Sequence, residues 1–429
     1  MSESTLSSVV TSPAVKLSEV AARAAAFAMP LDEIDVSKPR LFQDGSIGHY
    51  FERLRRDAPV HWQTNPINGG FWSVTRYQDI MHVDTNHGIF SSDWAKGGIA
   101  IFDQVMDQRA PSFIAMDQPQ HDEQRKTVSP IVAPANLASM QNTIRERTAR
   151  VLDALPRNET FNWVDRVSVE LTTQMLATLF DFPFEDRAML TRWSDVATGA
   201  VGPGRVTESM AARQLELDQC LAFFTRLWNQ RVNEPPKTDL ISMLAHSPAT
   251  RNMTSAEFMG NLILLIVGGN DTTRNSMTGG LLALHQNPAE FAKLQACPAL
   301  VESMVPEIIR WQTPLAHMRR TALVDTELGG KHIKAGDKVV MWYLSGNRDQ
   351  DAIDCPDQFI IDRARPRQHL SFGFGIHRCV GNRLAEMQIR ILWEEILKRF
   401  ASFEVVGEPQ RVLSNFVHGY THLMVRLPV

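Results

Sequence analysis

The chain has 429 residues, 44% of them apolar, with 44 basic and 48 acidic side chains for a formal net charge of −4. That balance argues against nucleic acid or an anionic membrane surface as a general partner, and the longest apolar run, residues 261–267, is far too short to span a bilayer. The four cysteines, Cys220, Cys297, Cys355 and Cys379, form neither a Cys-x-x-Cys pair nor an evenly spaced framework, which suits a reducing cytoplasm.

The first thirty residues lack the basic flank, apolar run and cleavage site of a secretory signal, so a soluble cytoplasmic protein is expected. No linker, repeat or low-complexity block divides the chain. One large domain is expected over residues 41–429, preceded by a partly disordered extension over residues 1–40. Within that extension residues 17–29 have the spacing of an amphipathic helix. Across residues 59–81, Val-His-Trp and Gly-Gly-Phe-Trp-Ser-Val alternate as short strands do, ahead of a helix beginning near Tyr77. Residues 120–245 read as helices punctuated by Pro156, Pro183, Gly202-Pro203-Gly204 and Pro235-Pro236. Thr254-Ser-Ala-Glu257 is a capping box opening a long apolar helix to about Asn287. A helix follows over residues 299–311, then strand-like alternation over residues 321–340 with turns at Gly329-Gly330 and Ala335-Gly336-Asp337. The fold class is mostly α with a small β region.

The chemistry concentrates in Phe372-Gly-Phe-Gly-Ile-His-Arg-Cys379-Val-Gly381. Glycines let the backbone pass close to a flat cofactor. A helix opening near Gly381 aims amide N–H groups back at the Cys379 sulfur, favouring its anionic form. In register at Phe372, Gly375, Cys379 and Gly381, the segment resembles the haem-binding loop of the cytochrome P450 family. The resemblance implies haem b (iron protoporphyrin IX) held by Cys379, whose thiolate favours O–O cleavage, within the family's fold as a single large domain enclosing haem.

Further motifs extend the resemblance. Gly268-Gly269-Asn-Asp271-Thr272 interrupts the long apolar helix at a cost of roughly 1 kcal/mol per glycine relative to alanine, reasonable where a helix widens beside a small molecule. It resembles the family's oxygen-activation motif, which implies that Thr272 positions water and Asp271 feeds protons from solvent. Glu307 and Arg310, an i, i+3 pair, resemble the family's Glu-x-x-Arg motif. Arg363, with Arg365 as the alternative, would be the later arginine folded against it, in a structural role. His121 and Arg125, at i, i+4 on one helix face, match the His-x-x-x-Arg of bacterial members. With Arg320 and His377 they are suited to the haem carboxylates.

Segments that line the family's substrate pocket are apolar here. They include residues 99–106 (Ile101, Phe102), residues 264–268 (Leu264, Val267, Gly268), Leu315, Ala316, Met318, Phe416 and Val417, with His418 or Arg109 as charged candidates at the mouth. The resemblance is closest to soluble bacterial terminal hydroxylases of alkanes and fatty acids. It implies O2 as co-substrate and electrons from a [2Fe-2S] ferredoxin and its reductase. Arg363, Arg365, Arg367, His369, Arg378 and Arg383 would form a basic docking patch for that ferredoxin. Hydroxylation of a compact terpenoid or steroid is the rival reading, and a non-catalytic haem-thiolate sensor the remote one.

Overall fold

Thr254 and Glu257 cap the helix Ser255–Gln286 reciprocally: the Glu257 amide donates to the Thr254 hydroxyl at 3.2 Å and the Thr254 amide to the Glu257 carboxylate at 2.8 Å. This 32-residue helix is the axis of the computed structural model, which describes residues 18–103, 111–202 and 205–429. Helices Glu170–Phe180, Ala188–Thr198, Val301–Gln312 and Asn382–Arg399 pack against it. The packing splits into two clusters. Phe258, Leu262 and Ile266 of its first half join Phe180, Trp193 and Phe224. Met277, Leu281 and Leu284 of its second half join Trp163, Ile308 and Trp393. Arg109 and residues 104–106 of the expected pocket segment lie outside the described residues, as do Leu17, Pro203 and Gly204.

A five-stranded sheet stands beside the helices in the order Val60–Asn65, Gly69–Val74, Lys338–Met341, Met318–Ala322 and Phe90–Ser91. Gly69–Val74 and Lys338–Met341 run parallel, and the other neighbours are antiparallel. Every residue of Met318–Ala322 is buried. That strand places Arg320 opposite Val339, in a setting where a guanidinium must find partners.

The amphipathic helix expected over residues 17–29 is present, and the segment after it packs onto the domain expected to begin at residue 41. Ser18 caps a helix Glu19–Ala28, and Ala26, Ile34 and Val36 are buried in a cluster with Phe42, Phe51 and Trp342. Their apolar area is bound into the body of the protein, so residue 41 begins nothing new. Among the described residues no helix is long and apolar enough to cross a membrane.

Candidate active site

The cysteine loop is shaped by two turns that require glycine. Gly373 and Gly375 have φ of +63° and +64°, in the left-handed region that disfavours a side chain. A Cβ on Gly375 would also lie 2.3 Å from the Asp84 carbonyl oxygen. The Cys379 amide donates to the Phe372 carbonyl at 2.8 Å, closing the loop before helix Asn382–Arg399 begins. Cys379 is exposed, but protein surrounds it closely enough that burial pushes its thiol pKa up. Against that, the amides of Gly381 and Asn382 hydrogen-bond the sulfur, and the Arg125 and Arg378 guanidiniums favour the thiolate. Gly381 itself is at φ −88°, and a Cβ there would meet nothing within 4 Å.

The base of the loop is held from below. Arg310 donates to Glu307 through Nε and Nη2 at 2.7 and 2.8 Å, and Arg363 donates to the same carboxylate at 2.8 Å. Arg365 is only 3.9 Å from Asp354 and exposed, so Arg363 is the partner. Glu307 and Arg310 are fully buried. Arg310 also donates to the Asn347 and Pro356 carbonyls. Asn347 accepts the Leu370 amide at 2.7 Å and donates to Ser371 at 2.9 Å. The charge cluster thus reaches the segment leading into Phe372 through one asparagine, which the sequence did not flag.

Around the loop, the structure brings His121, Arg125, Arg320 and His377 together. The His121 and His377 rings lie 4.3 Å apart, and Arg125 donates to the Arg378 carbonyl. Arg320, Arg125 and His121 all bear on His377, but burial is the larger cause pushing its pKa down to about 2. Both His377 nitrogens and His121 Nε2 are buried without a partner. Orphaned buried imidazoles are costly. Three such nitrogens on two rings, beside two arginines, make a donor set that fits the two carboxylates of haem. Arg320 also donates to Asp84 at 2.7 Å, a contact absent from the sequence reading.

The two glycines of the central helix have different reasons. A Cβ on Gly269 would come within 2.7 Å of Leu176, so that glycine permits close helix packing, whereas one on Gly268 would meet nothing within 4 Å. Gly268 is exposed, and its carbonyl accepts the Thr272 hydroxyl at 3.1 Å. Asp271 is fully buried, so protons fed from solvent must reach it through its neighbours. It accepts hydrogen bonds from Ser194 and Thr198 at 3.1 and 3.2 Å and pairs with Arg274 at 2.9 Å. Arg274 pairs in turn with the half-exposed Asp195 at 2.7 Å. Burial pushes the Asp271 pKa up while Arg274 pulls it down. The polar path outward therefore runs Asp271, Arg274, Asp195.

Several pocket assignments are corrected. Ile101 and Ala316 are 3% and 0% exposed and pack with Phe42 and Trp342, because that side of the sheet is filled by the N-terminal segment. Phe102 is 45% exposed and lies on the surface. His418 is turned inward, with Nδ1 2.7 Å from the Gln312 carbonyl, so it anchors nothing at a mouth. Leu315, Met318 and Phe416 gather with Ile99, Ile114 and Phe374, and Val417 bridges to Leu315. Leu264 packs on the first-half helix cluster, and Val267 beside it is half-buried. The basic patch is also reduced. Arg363 serves Glu307 and His369 is buried, which leaves Arg365, Arg367, Arg378 and Arg383 on the surface, Arg367 paired with Glu386 at 3.1 Å.

One pH effect follows from this packing. Burial pushes His317 and His418 down to pKa values of about 4. They are therefore neutral in the folded chain and take up protons near pH 6.5 only when it unfolds. Their contribution to stability is complete above about pH 6.5 and is lost as pH falls toward about 4, by up to about 3 kcal/mol each. Urea unfolding at pH 7.5 and pH 5 checks this. The His317→Gln protein should lose measurably less stability across that interval.

A cysteine loop at the N-terminus of a helix, braced by a buried glutamate–arginine cluster and packed against the helix that carries the glycine–threonine notch, defines a haem-thiolate protein. Comparison with known proteins agrees. The family model described as Cytochrome P450 matches residues 299–418. A linalool 8-monooxygenase of Pseudomonas putida is 35% identical over 92% of this chain and 99% of its own. A methyl-branched lipid omega-hydroxylase of Mycobacterium tuberculosis is 34% identical over 87% and 90%. The solved cytochrome P450-153 from Novosphingobium aromaticivorans is 47% identical, with a TM-score of 0.85 over 92% and 99%. The chain belongs to the cytochrome P450 family, and is a haem-containing P450 monooxygenase.

Proposed function

We propose that this protein hydroxylates the terminal methyl of medium-chain n-alkanes or fatty acids, using O2 and electrons from a separate [2Fe-2S] ferredoxin and ferredoxin reductase. The observation that carries the reading is that Leu264 and Val267, next to the Gly268–Thr272 notch on the same helix, and the separate cluster holding Leu315, Met318 and Phe416 are all uncharged and apolar. A terminal C–H is harder to break than an internal one, so regioselectivity must come from confinement, with only the chain end reaching attack geometry. The omega-hydroxylase named among the relatives supports chain-end oxidation. The linalool enzyme favours a second reading, a terpenoid of similar volume.

Bound haem supplies the activation of dioxygen, one atom of which enters the substrate while the other leaves as water. In this reading Cys379 holds the iron, with its charge favoured by the Gly381 and Asn382 amides. His121, Arg125, Arg320 and His377 hold the carboxylates. The Thr272 hydroxyl donates a hydrogen bond to the Gly268 carbonyl, which leaves its lone pairs to accept from water. Asp271, Arg274 and Asp195 connect that position with the surface. Thr272→Ala should lower product formed per NADH by about 10²-fold, while stability stays within about 0.5 kcal/mol. Product and NADH assays with a surrogate ferredoxin pair measure the first quantity, and urea unfolding the second.

The deciding experiment is an optical titration of the ferric protein with linear alkanes, fatty acids of graded length, terpenes and steroids. A saturable high-spin shift peaking at one chain length supports the reading. A shift confined to ring compounds, or internal alcohols as the main products, overturns it.

A further inference from the structure

Asp84 is buried at 2% exposure near the C-terminal end of helix Tyr77–Thr85. A carboxylate there faces the negative end of the helix dipole and has lost its water, so its retention demands compensation. Three groups supply it. Arg320 donates to Oδ1 at 2.7 Å. The Phe374 amide and the Tyr343 hydroxyl donate to Oδ2 at 2.7 and 3.2 Å. The backbone takes part as well, because the Asp84 carbonyl occupies the space that a Gly375 side chain would need. One carboxylate thus grips the cysteine loop five residues before the sulfur and, on its other oxygen, a guanidinium beside His377.

We propose that Asp84 is a positioning residue that locks the cysteine loop to Arg320 and restrains the positive charge Arg320 presents to the haem carboxylates. This rests on the reading that Arg320 contacts those carboxylates. A simple packing role would leave the electrostatics of the site indifferent to the charge on Asp84. The proposed role does not. In Asp84→Asn the amide oxygen still accepts from Phe374 and Tyr343, while its NH2 group faces the Arg320 guanidinium donor to donor. Arg320 is then released, and a negative charge is gone. Both changes favour the reduced, more negative haem.

The test uses the full-length haem-loaded protein and two readouts besides turnover: the reduction potential, and the rate of haem transfer to excess apomyoglobin. Asp84→Asn should raise the potential while haem transfer stays within about threefold of wild type. Asp84→Ala, which strands the Phe374 amide, should speed transfer by about tenfold or more. An Asp84→Asn potential equal to or below wild type overturns the proposal, even where Asp84→Ala fails to fold. Arg320→Gln tests the supporting reading separately. Faster haem transfer upholds it, whereas an unchanged rate removes Arg320 from the haem and the proposal with it. Asp79→Asn, on the same helix and outside this network, should change neither readout.

Discussion

Replacing Glu307 by alanine is expected to destabilise the protein by about 3–5 kcal/mol and to yield chain that does not retain haem. The carboxylate is fully buried and pairs with two guanidiniums, one of them also fully buried. It accepts the Ile360 amide at 2.9 Å as well. Removing it strands two positive charges and an amide where water cannot reach, which costs far more than the net worth of the pair. Since domains are held together by only about 5–15 kcal/mol, the loss is a large share of the total. The route to the active site is physical: Arg310 holds the Asn347 carbonyl, and Asn347 holds Leu370 and Ser371. Arg310→Lys is also expected to be severe, because an ammonium lacks the planar fork that meets two carboxylate oxygens and three carbonyls at once. Arg365→Ala, whose ion pair is exposed, should change stability by less than about 0.5 kcal/mol. Chemical denaturation and the haem-to-protein absorbance ratio of these variants check the prediction.

Features carried by adjacent residues were legible in the sequence. The Thr254–Glu257 box, the glycine-spaced cysteine loop, and the Glu307–Arg310 pair each depend on spacing within one turn or helix, and the backbone delivers them directly. Arg363 was legible only as one of two nearby arginines, and distance separates them: 2.8 Å to Glu307 for one, an exposed and loose pair for the other. What stayed hidden depends on contacts across the chain. Asp84 meets Arg320 and Phe374 across 236 and 290 residues, and nothing local distinguishes it from a solvated aspartate. The same limit misplaced Ile101 and Ala316. Both are apolar and close to genuine candidates, but the face they present depends on the segment around Ile34, Val36 and Phe42 packing there, and that segment reads locally as a loose tail. Asp271 was legible as an acid beside a threonine. Its burial behind Ser194, Thr198 and Arg274 was not, since helix Ala188–Thr198 reaches it only in the folded protein.

Replacing Cys379 by serine is expected to abolish hydroxylation while leaving the chain folded. The position is exposed, and serine retains both the backbone amide bond to Phe372 and an oxygen able to accept from Gly381 and Asn382. Stability should therefore move by less than about 1 kcal/mol. The chemistry differs because of what those neighbours are able to ionise. Two amides, Arg125 and Arg378 work against burial to favour an anionic sulfur, and a thiol starting near pKa 8.5 is within their reach. A serine hydroxyl has no accessible anion near neutral pH, so the same surroundings leave it neutral and unable to act as the electron-donating ligand. Product formation should fall by at least about 10³-fold, a transition-state loss of about 4 kcal/mol or more. The absorption spectrum of the reduced, carbon monoxide-saturated protein should lose its thiolate character even where haem is retained. Unfolding measured in parallel separates this outcome from the Glu307→Ala phenotype. There the fold and haem are lost together, whereas in Cys379→Ser the scaffold persists and only the ligand chemistry is gone. A Cys379→Ser protein that keeps both the thiolate spectrum and turnover would show that a different group holds the iron.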